Sequence, residues 1–473
     1  MFDILHYSSH TAVITDRGEQ LTYTQLADEV EKFASHYNGG FVFTLCENLL
    51  GSFVGYVACM NKHIPQVLLD GSKDLELVLR LIGIYQPDYI WMPAKRTQDI
   101  QEGLKGANSV IYEYGEYFLL QMNYAESIAY KDICPELLLC LTTSGSTGSP
   151  KLVRLSEKNL QSNAESIAEY LRIDENERPV TSLPMYYSYG MSVINSHLIK
   201  GATILLTDKA VIQREFWTFV KEQKATSIYG VPYTYEMLKR LRFFRMELPD
   251  LKTMCQAGGK LNAKYVKEYV DFAEANGMQF VVMYGQTEAA PRMSYLPSDR
   301  AVEKNASIGI AIPGGELLVM DADGNKITTP ETEGELVYKG ENVCLGYAEM
   351  RADLAKGDEY HGELHTGDIA KFDADGFFYI TGRMKRFVKI WGNRTNLDAT
   401  EQLVKAITPN CACGGVDDLI TVFVTEDGLE EQIKALLVEK TGFNPRAFQV
   451  KKIDAIPVKT SGKIDYPELQ KML

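Results

Sequence analysis

As far as about Gly309, short apolar blocks alternate with longer stretches in which hydrophobic residues recur every third or fourth position. The blocks "GFVFTLC", "HIPQVLLD", "DYIWMP", "ATILLTD", "ATSIYGV" and "QFVVMYG" read as buried strands. Between them, segments such as "LTYTQLADEVEKFASHY" and "YVKEYVDFAEANG" have the stripe of amphipathic helices. Strand and helix in alternation predict layered α/β architecture. Beyond Gly309 the texture changes to short strands broken by turn signals, "ELLVMDADGNKIT", "GELVYKG" and "IAKFDADGFFYITG", which predicts a small antiparallel or barrel-like part. The two "DADG" copies lack the sixth-position glycine and twelfth-position glutamate of a calcium loop, so they read as hairpin turns. After "GRMKRFVKIWGNR", the blocks "LITVFVT", "LEEQIKALLVEKTG", "AFQVKKI" and "YPELQKML" predict a small α+β domain beginning near Lys385. The expected division is therefore residues 1–384 and 385–473.

Composition narrows the classes. With 45% hydrophobic and 24% charged residues over 473 positions, the chain has the balance of a packed protein. A formal net charge of −14 argues against nucleic acid or an anionic membrane as partner, because the summed field repels phosphate. No stretch approaches the ~18 apolar residues that span a bilayer. The opening "MFDILHYSSH" has no leader pattern, and the expectation is a soluble, cytoplasmic protein. The only close cysteine pair, Cys411 and Cys413, has no second pair to complete a zinc site and reads as two thiols on one buried strand face.

The candidate chemistry begins at "LTTSGSTGSPK", residues 141–151. A strand, "ELLLCL", precedes it. In "KLVRLS" after it, Leu152 and Arg154 alternate with Val153 and Leu155 as in a second strand. A helix follows only later, with Ser156 as its N-cap and Leu160, Ala164, Ile167, Ala168 and Leu171 on one face. A Walker A loop must run straight into a helix, so neither spacing nor context fits one. Glycines nevertheless let backbone N–H groups converge on an anion. The hydroxyls of Thr142, Thr143, Ser144, Ser146 and Thr147 add adjustable donors, and a polyphosphate suits such a loop.

"TTSGSTGSPK" resembles the phosphate loop of the adenylate-forming superfamily, which includes acyl- and aryl-CoA synthetases, peptide-synthetase adenylation domains, D-alanine carrier-protein ligases and luciferase. "MYGQTEAA" from Met283, "LHTGDIAKF" from Leu364, "GRMKRFVKIWGNR" from Gly382 and "PVKTSGKID" from Pro457 are similar to further motifs of that superfamily, in its order. The resemblance implies ATP and Mg²⁺ as cofactors, with Glu288 and Thr143 on the metal and Thr287 on the α-phosphate. It implies that Tyr284 stacks on adenine, that Asp368 accepts the ribose hydroxyls and that Arg383 reaches the ribose or phosphates. The rest of the nucleotide site would be Gly145, Gly148, Lys151, Gly258, Gly259, Met283, Gly285, Gln286 and Ile380.

Lys463 is the first choice of catalytic residue, since an ammonium between carboxylate and α-phosphate lowers their repulsion. Lys385 would be the hinge on which the small domain turns, bringing Lys389 and Gly392 to the second half-reaction. Five basic residues from Arg383 to Arg394, with no acid among them, are expected to face phosphate.

Where amino-acid-activating members carry an aspartate against the substrate ammonium, Gly190 stands. A buried ammonium without a partner is costly, so the expected acid is not an ordinary α-amino acid. Its pocket would be lined by Tyr187, Tyr189, Gly190, Tyr229, Gly258 and Ala289. Leu152 replaces a usual glycine. The implied activity is ATP-dependent activation of a small carboxylic acid as acyl-AMP, then transfer to coenzyme A or a separate carrier protein. An amine acceptor, a D-alanine type of carrier-protein ligase, a γ-phosphotransferase and a non-catalytic nucleotide-binding homologue are the alternatives.

Overall fold

The structure is a computed structural model that describes residues 1–104, 108–123, 133–142, 151–384, 386–391, 393–459 and 464–473. The apolar blocks fall where the pattern places them. Eight strands form one sheet in the order Gly346–Ala348, Leu152–Ser156, Leu137–Thr142, Gln66–Asp70, Val42–Cys46, Tyr89–Pro93, Tyr117–Met122, Asn108–Tyr114. Its four central strands run parallel, and its outer pairings are antiparallel.

A second sheet has five strands, Ser227–Gly230, Thr253–Gln256, Gln279–Gly285, Arg292–Leu296 and Ile310–Ala311. Helix Leu50–Asn61 is apolar on every side and buried from Leu50 to Met60, so it sits inside the molecule rather than on a face. It packs with Trp91 of the first sheet and with Met191 and Ile194 of helix Ser188–Leu198. Gly55 is required at that crossing, because a Cβ there would lie 2.2 Å from the Trp91 indole nitrogen.

The antiparallel part is a four-stranded sheet, Gly315–Met320, Gly334–Gly340, Glu363–Phe372 and Phe378–Arg383. Both "DADG" segments are turns, with Gly324 and Gly376 each at φ +82°. Past Arg383 a hairpin, Phe387–Ile390 with Asn393–Asn396, precedes a three-stranded sheet packed by helices Leu397–Val404 and Glu430–Thr441. Cys411 and Cys413 are buried on one strand of that sheet, and burial pushes the Cys411 thiol up to about 12, so both are packing residues.

Local rules act as expected around the hydroxyl-rich loop. Ser156 Oγ accepts from Asn159 N at 3.1 Å, and Asn159 Oδ1 accepts from Ser156 N at 2.9 Å. The Asn159 amide then donates to Glu341 O and Val343 O, both at 2.7 Å, and so ties this cap to the neighbouring sheet. The alternation in "KLVRLS" does not separate core from solvent, because all of Leu152–Ser156 is buried. Arg154 is fully buried and crosses to Leu345 O at 3.0 Å, Tyr347 O at 3.1 Å, Gly357 O at 3.2 Å and the Glu359 carboxylate at 2.6 Å.

Replacing Arg154 by Ala would strand those acceptors. We expect a loss of about 3 kcal/mol, read as a lower midpoint of thermal unfolding, with Arg154→Lys recovering only part of it.

Candidate active site

Three motifs meet at one carboxylate. Strand Gln279–Gly285 delivers Tyr284, the turn after it delivers Gln286, and strand Glu363–Phe372 delivers Asp368. The neighbouring strand Phe378–Arg383 ends on Arg383, whose Cα pairs with that of Asp368. Asp368 is only 2% exposed. Its Oδ2 accepts from the Tyr284 hydroxyl and from Gln286 Nε2 at 3.1 Å, while Arg383 Nε lies 2.9 Å from Oδ1. Gln286 also donates to Thr366 O at 3.0 Å. Thr366 Oγ1 accepts from Asp368 N at 3.0 Å, and Gly367, at φ +68°, makes the turn that only glycine adopts freely. Burial and the Asp368 charge hold the Tyr284 phenol well above its ordinary pKa, so it stays a donor. Among the described residues Oδ1 meets only Arg383, and it retains lone-pair capacity for a hydroxyl.

Thr287 and Glu288 follow in a short 3-10 turn, Thr287–Ala289. Thr287 Oγ1 lies 3.1 Å from Ser188 Oγ at the start of helix Ser188–Leu198. Glu288 Oε1 accepts from the Tyr347 hydroxyl at 2.7 Å, and Cys344 N fixes the Glu288 carbonyl at 2.8 Å. Lys151 reaches the same corner, with Nζ 5.5 Å from the Tyr347 ring centroid and 2.7 Å from Glu349. Among the described residues no group of three or more Cys, His, Asp or Glu could hold a metal. A single carboxylate such as Glu288 does fit Mg²⁺, which keeps most of its waters and shares phosphate oxygens.

Of the residues expected to line the acid pocket beyond Thr287, the aromatic ones, Tyr187, Tyr189 and Tyr229, pack in one cluster. Tyr189 is buried and donates to Cys255 O at 2.9 Å, and the Tyr229 ring lies edge-on to it at 6.2 Å. Tyr187 is half-buried, Ala289 is buried, and the Gly258–Gly259 bend is held by Gln256 Nε2 on Gly259 O at 2.8 Å. Gly190 is buried with no room for a side chain, because a Cβ there would lie 2.2 Å from Pro184 O. The Met283 thioether accepts from the Tyr170 hydroxyl, Ile380 is half-buried on strand Phe378–Arg383, and Thr142 ends the strand before the loop.

Sequence reasoning missed Arg292. It is buried against the expected lining residues, 2% exposed, with Cζ 4.7 Å from the Tyr189 ring and 5.8 Å from the Tyr229 ring. Asn163 and Asn342 clamp its main chain, with both side-chain amides donating to its carbonyl, at 2.8 and 3.0 Å. The available signal was one basic residue in the otherwise apolar run "AAPRMSYL". Tyr347, the partner of Glu288, was missed for the lack of any local cue.

The basic run does not act as one surface. Arg386 turns inward, onto Asp398 and Cys413 O, with Cζ 3.5 Å from the Tyr466 ring, so it holds the small domain together. Lys389 is exposed on the hairpin. Thr143, Ser144, Gly145, Ser146, Thr147, Gly148, Lys385, Gly392 and Lys463 lie outside the described residues. An open cleft of about 930 Å³ elsewhere, lined by His63, Glu136, Lys158 and Glu341 among others, holds none of the motif residues, so size does not locate the site.

A family model described as AMP-binding enzyme matches residues 4–348. The feruloyl-CoA synthase of an Amycolatopsis species is 27% identical over 453 residues, covering 92% of this chain and 87% of its own. The oxalate–CoA ligase of Arabidopsis thaliana is 28% identical over 372 residues, covering 73% and 70%. The ATP-bound MatB of Rhodopseudomonas palustris superposes with a TM-score of 0.79 at 21% identity, covering 98% of this chain and 96% of its own, a likeness of fold.

Gly285 faces Arg292 across the strand pair, and a Cβ on it would lie 1.9 Å from Pro291 O. Gly285→Ala should therefore push the two strands apart and cost about 1–3 kcal/mol, measured as a lower unfolding midpoint.

Proposed function

The chain belongs to the AMP-binding enzyme family and is an AMP-forming ligase of acids and thiols, and from that premise we propose how its residues divide the work. The observation that carries the proposal is the buried Asp368 with Tyr284, Gln286 and Arg383 gathered on it. We assign this knot to the nucleoside of ATP. The free capacity of Asp368 Oδ1 takes a ribose hydroxyl, the Tyr284 ring lies against adenine, and Arg383 moves onto the ribose or phosphates.

The hydroxyl-rich loop, Thr142 to Gly148 with Lys151 behind it, wraps the β- and γ-phosphates. Thr287 donates to the α-phosphate. Glu288, held by Tyr347, and Thr143 would hold Mg²⁺, which supplies charge neutralisation on the phosphates when bound.

The acid enters between Tyr187, Tyr189 and Tyr229. One of its carboxylate oxygens attacks the α-phosphorus, the bond to the bridging oxygen of pyrophosphate breaks, and pyrophosphate leaves with the electron pair. Lys463 lies between the two anions and lowers their repulsion. In the second step a thiol, as thiolate, attacks the acyl carbon and AMP departs. The small domain, residues 385–473, turns about Lys385 between steps, replacing Lys463 with the Lys389–Gly392 face. Coenzyme A is the acceptor that the named relatives favour; a separate carrier protein uses the same step.

The buried Arg292 guanidinium also argues against an α-amino acid, because two cations brought together out of water repel each other.

Lys463→Ala should slow acid-dependent ATP–pyrophosphate exchange about 100-fold or more while thiolysis of supplied acyl-adenylate survives. Equal loss in both assays would contradict the two-orientation scheme. Asp368→Asn should raise the KM for ATP about tenfold or more and leave the KM for the acid near that of the wild type. The reverse pattern would move the nucleoside site elsewhere.

A further inference from the structure

We propose that the acid this enzyme activates carries a second carboxylate, received by Arg292. The inference rests on the acid-activating reading above and specifies its substrate class.

Arg292 is a charge taken out of water that meets two aromatic rings but, among the described residues, no anion. Its Nη1 has Tyr170 Oη at 3.2 Å and the Met283 thioether at 2.7 Å, and a thioether is a poor acceptor. Nε and Nη2 are buried and have no hydrogen-bond partner among the described residues. No acid ranks among the main electrostatic partners of Arg292, which are Tyr170, Tyr189, Tyr229 and Cys255. Burial keeps these neighbours neutral, with Tyr170 pushed up to about 12 and Cys255 likewise to about 12. The one imidazole nearby cannot answer the charge either. His197 is depressed to about 3 by burial, and its Nδ1 donates to Val193 O at 2.8 Å. A buried guanidinium in such surroundings is costly unless an anion joins it.

The geometry specifies the anion. Nε and Nη2 share the guanidinium edge on which two N–H bonds run parallel, the edge that grips a carboxylate through both oxygens. Asn163 and Asn342 hold the Arg292 main chain, and the Tyr189 and Tyr229 rings pack on its guanidinium. Arg292 and the reacting end are also joined through two consecutive residues, since Thr287 contacts Ser188 and Arg292 lies over Tyr189. An acid spanning this stretch places one carboxylate at Thr287 for adenylation and the other on Arg292. A monocarboxylic acid of the same length leaves the guanidinium edge unpaired, and a site built to pair a polar group rejects the analogue lacking it by large factors.

The test is ATP–pyrophosphate exchange of the whole enzyme with matched pairs of acids, each α,ω-dicarboxylate against the monocarboxylate of equal chain length, aliphatic and aromatic. The expected result is at least one diacid preferred by about 100-fold or more in kcat/KM over its monoacid partner. Arg292→Met, similar in length and uncharged, should invert that ranking, lowering exchange with the diacid about 100-fold and raising it with the monoacid. Arg292→Lys should fall between. The wild-type ranking decides the matter even if Arg292→Met does not fold. Monoacids used as well as or better than their diacid partners would overturn this inference alone and leave acid activation standing. Exchange with no acid of either class would overturn acid activation and this inference together.

Discussion

A carboxylate buried to within 2% of full enclosure is the constraint around which the rest is arranged. Asp368 is tolerable there because a phenol and an amide from one chain segment and a guanidinium from another converge on it. That convergence sets the register between strand Gln279–Gly285, its following turn and the half-barrel strands. It also fixes where Thr287 and Glu288 stand, since they continue the same turn. The residues proposed for the nucleoside and those proposed for the phosphates are thus one mechanical unit. Without its partners, Asp368 would be a buried polar group with its hydrogen-bonding capacity unmet, which is costly.

Much of this was legible in one dimension because it depends on local rules. The buried strands announce themselves as β-branched and aromatic blocks, and the Ser156 cap is written as a serine before a helical stripe with an amide three residues on. The "DADG" turns follow from the conformational freedom of glycine. Motif order placed Tyr284, Gln286, Asp368 and Arg383 in one site, and the structure brings these four within hydrogen-bonding or ion-pairing distance.

What could not be read depends on contacts distant in sequence. Arg154 looked like one face of an alternating strand, yet it is wholly buried by segments about two hundred positions away. Arg386 looked like part of a phosphate-facing run but closes on Asp398 and Tyr466. Arg292 carried no motif at all; its meaning comes from the rings, the thioether and the neutral histidine that surround it. Gly190 shows the converse, a position singled out by alignment whose packing against Pro184 leaves no space for a side chain.

The central claim is that a carboxylate oxygen of the acid becomes bonded to the α-phosphorus of ATP. Supplying an acid labelled with heavy oxygen in its carboxyl group, with ATP and a thiol, and analysing the products by mass spectrometry tests it directly. The account predicts one labelled oxygen in AMP and none in pyrophosphate. Label appearing in orthophosphate, with ADP as the nucleotide product, would contradict it.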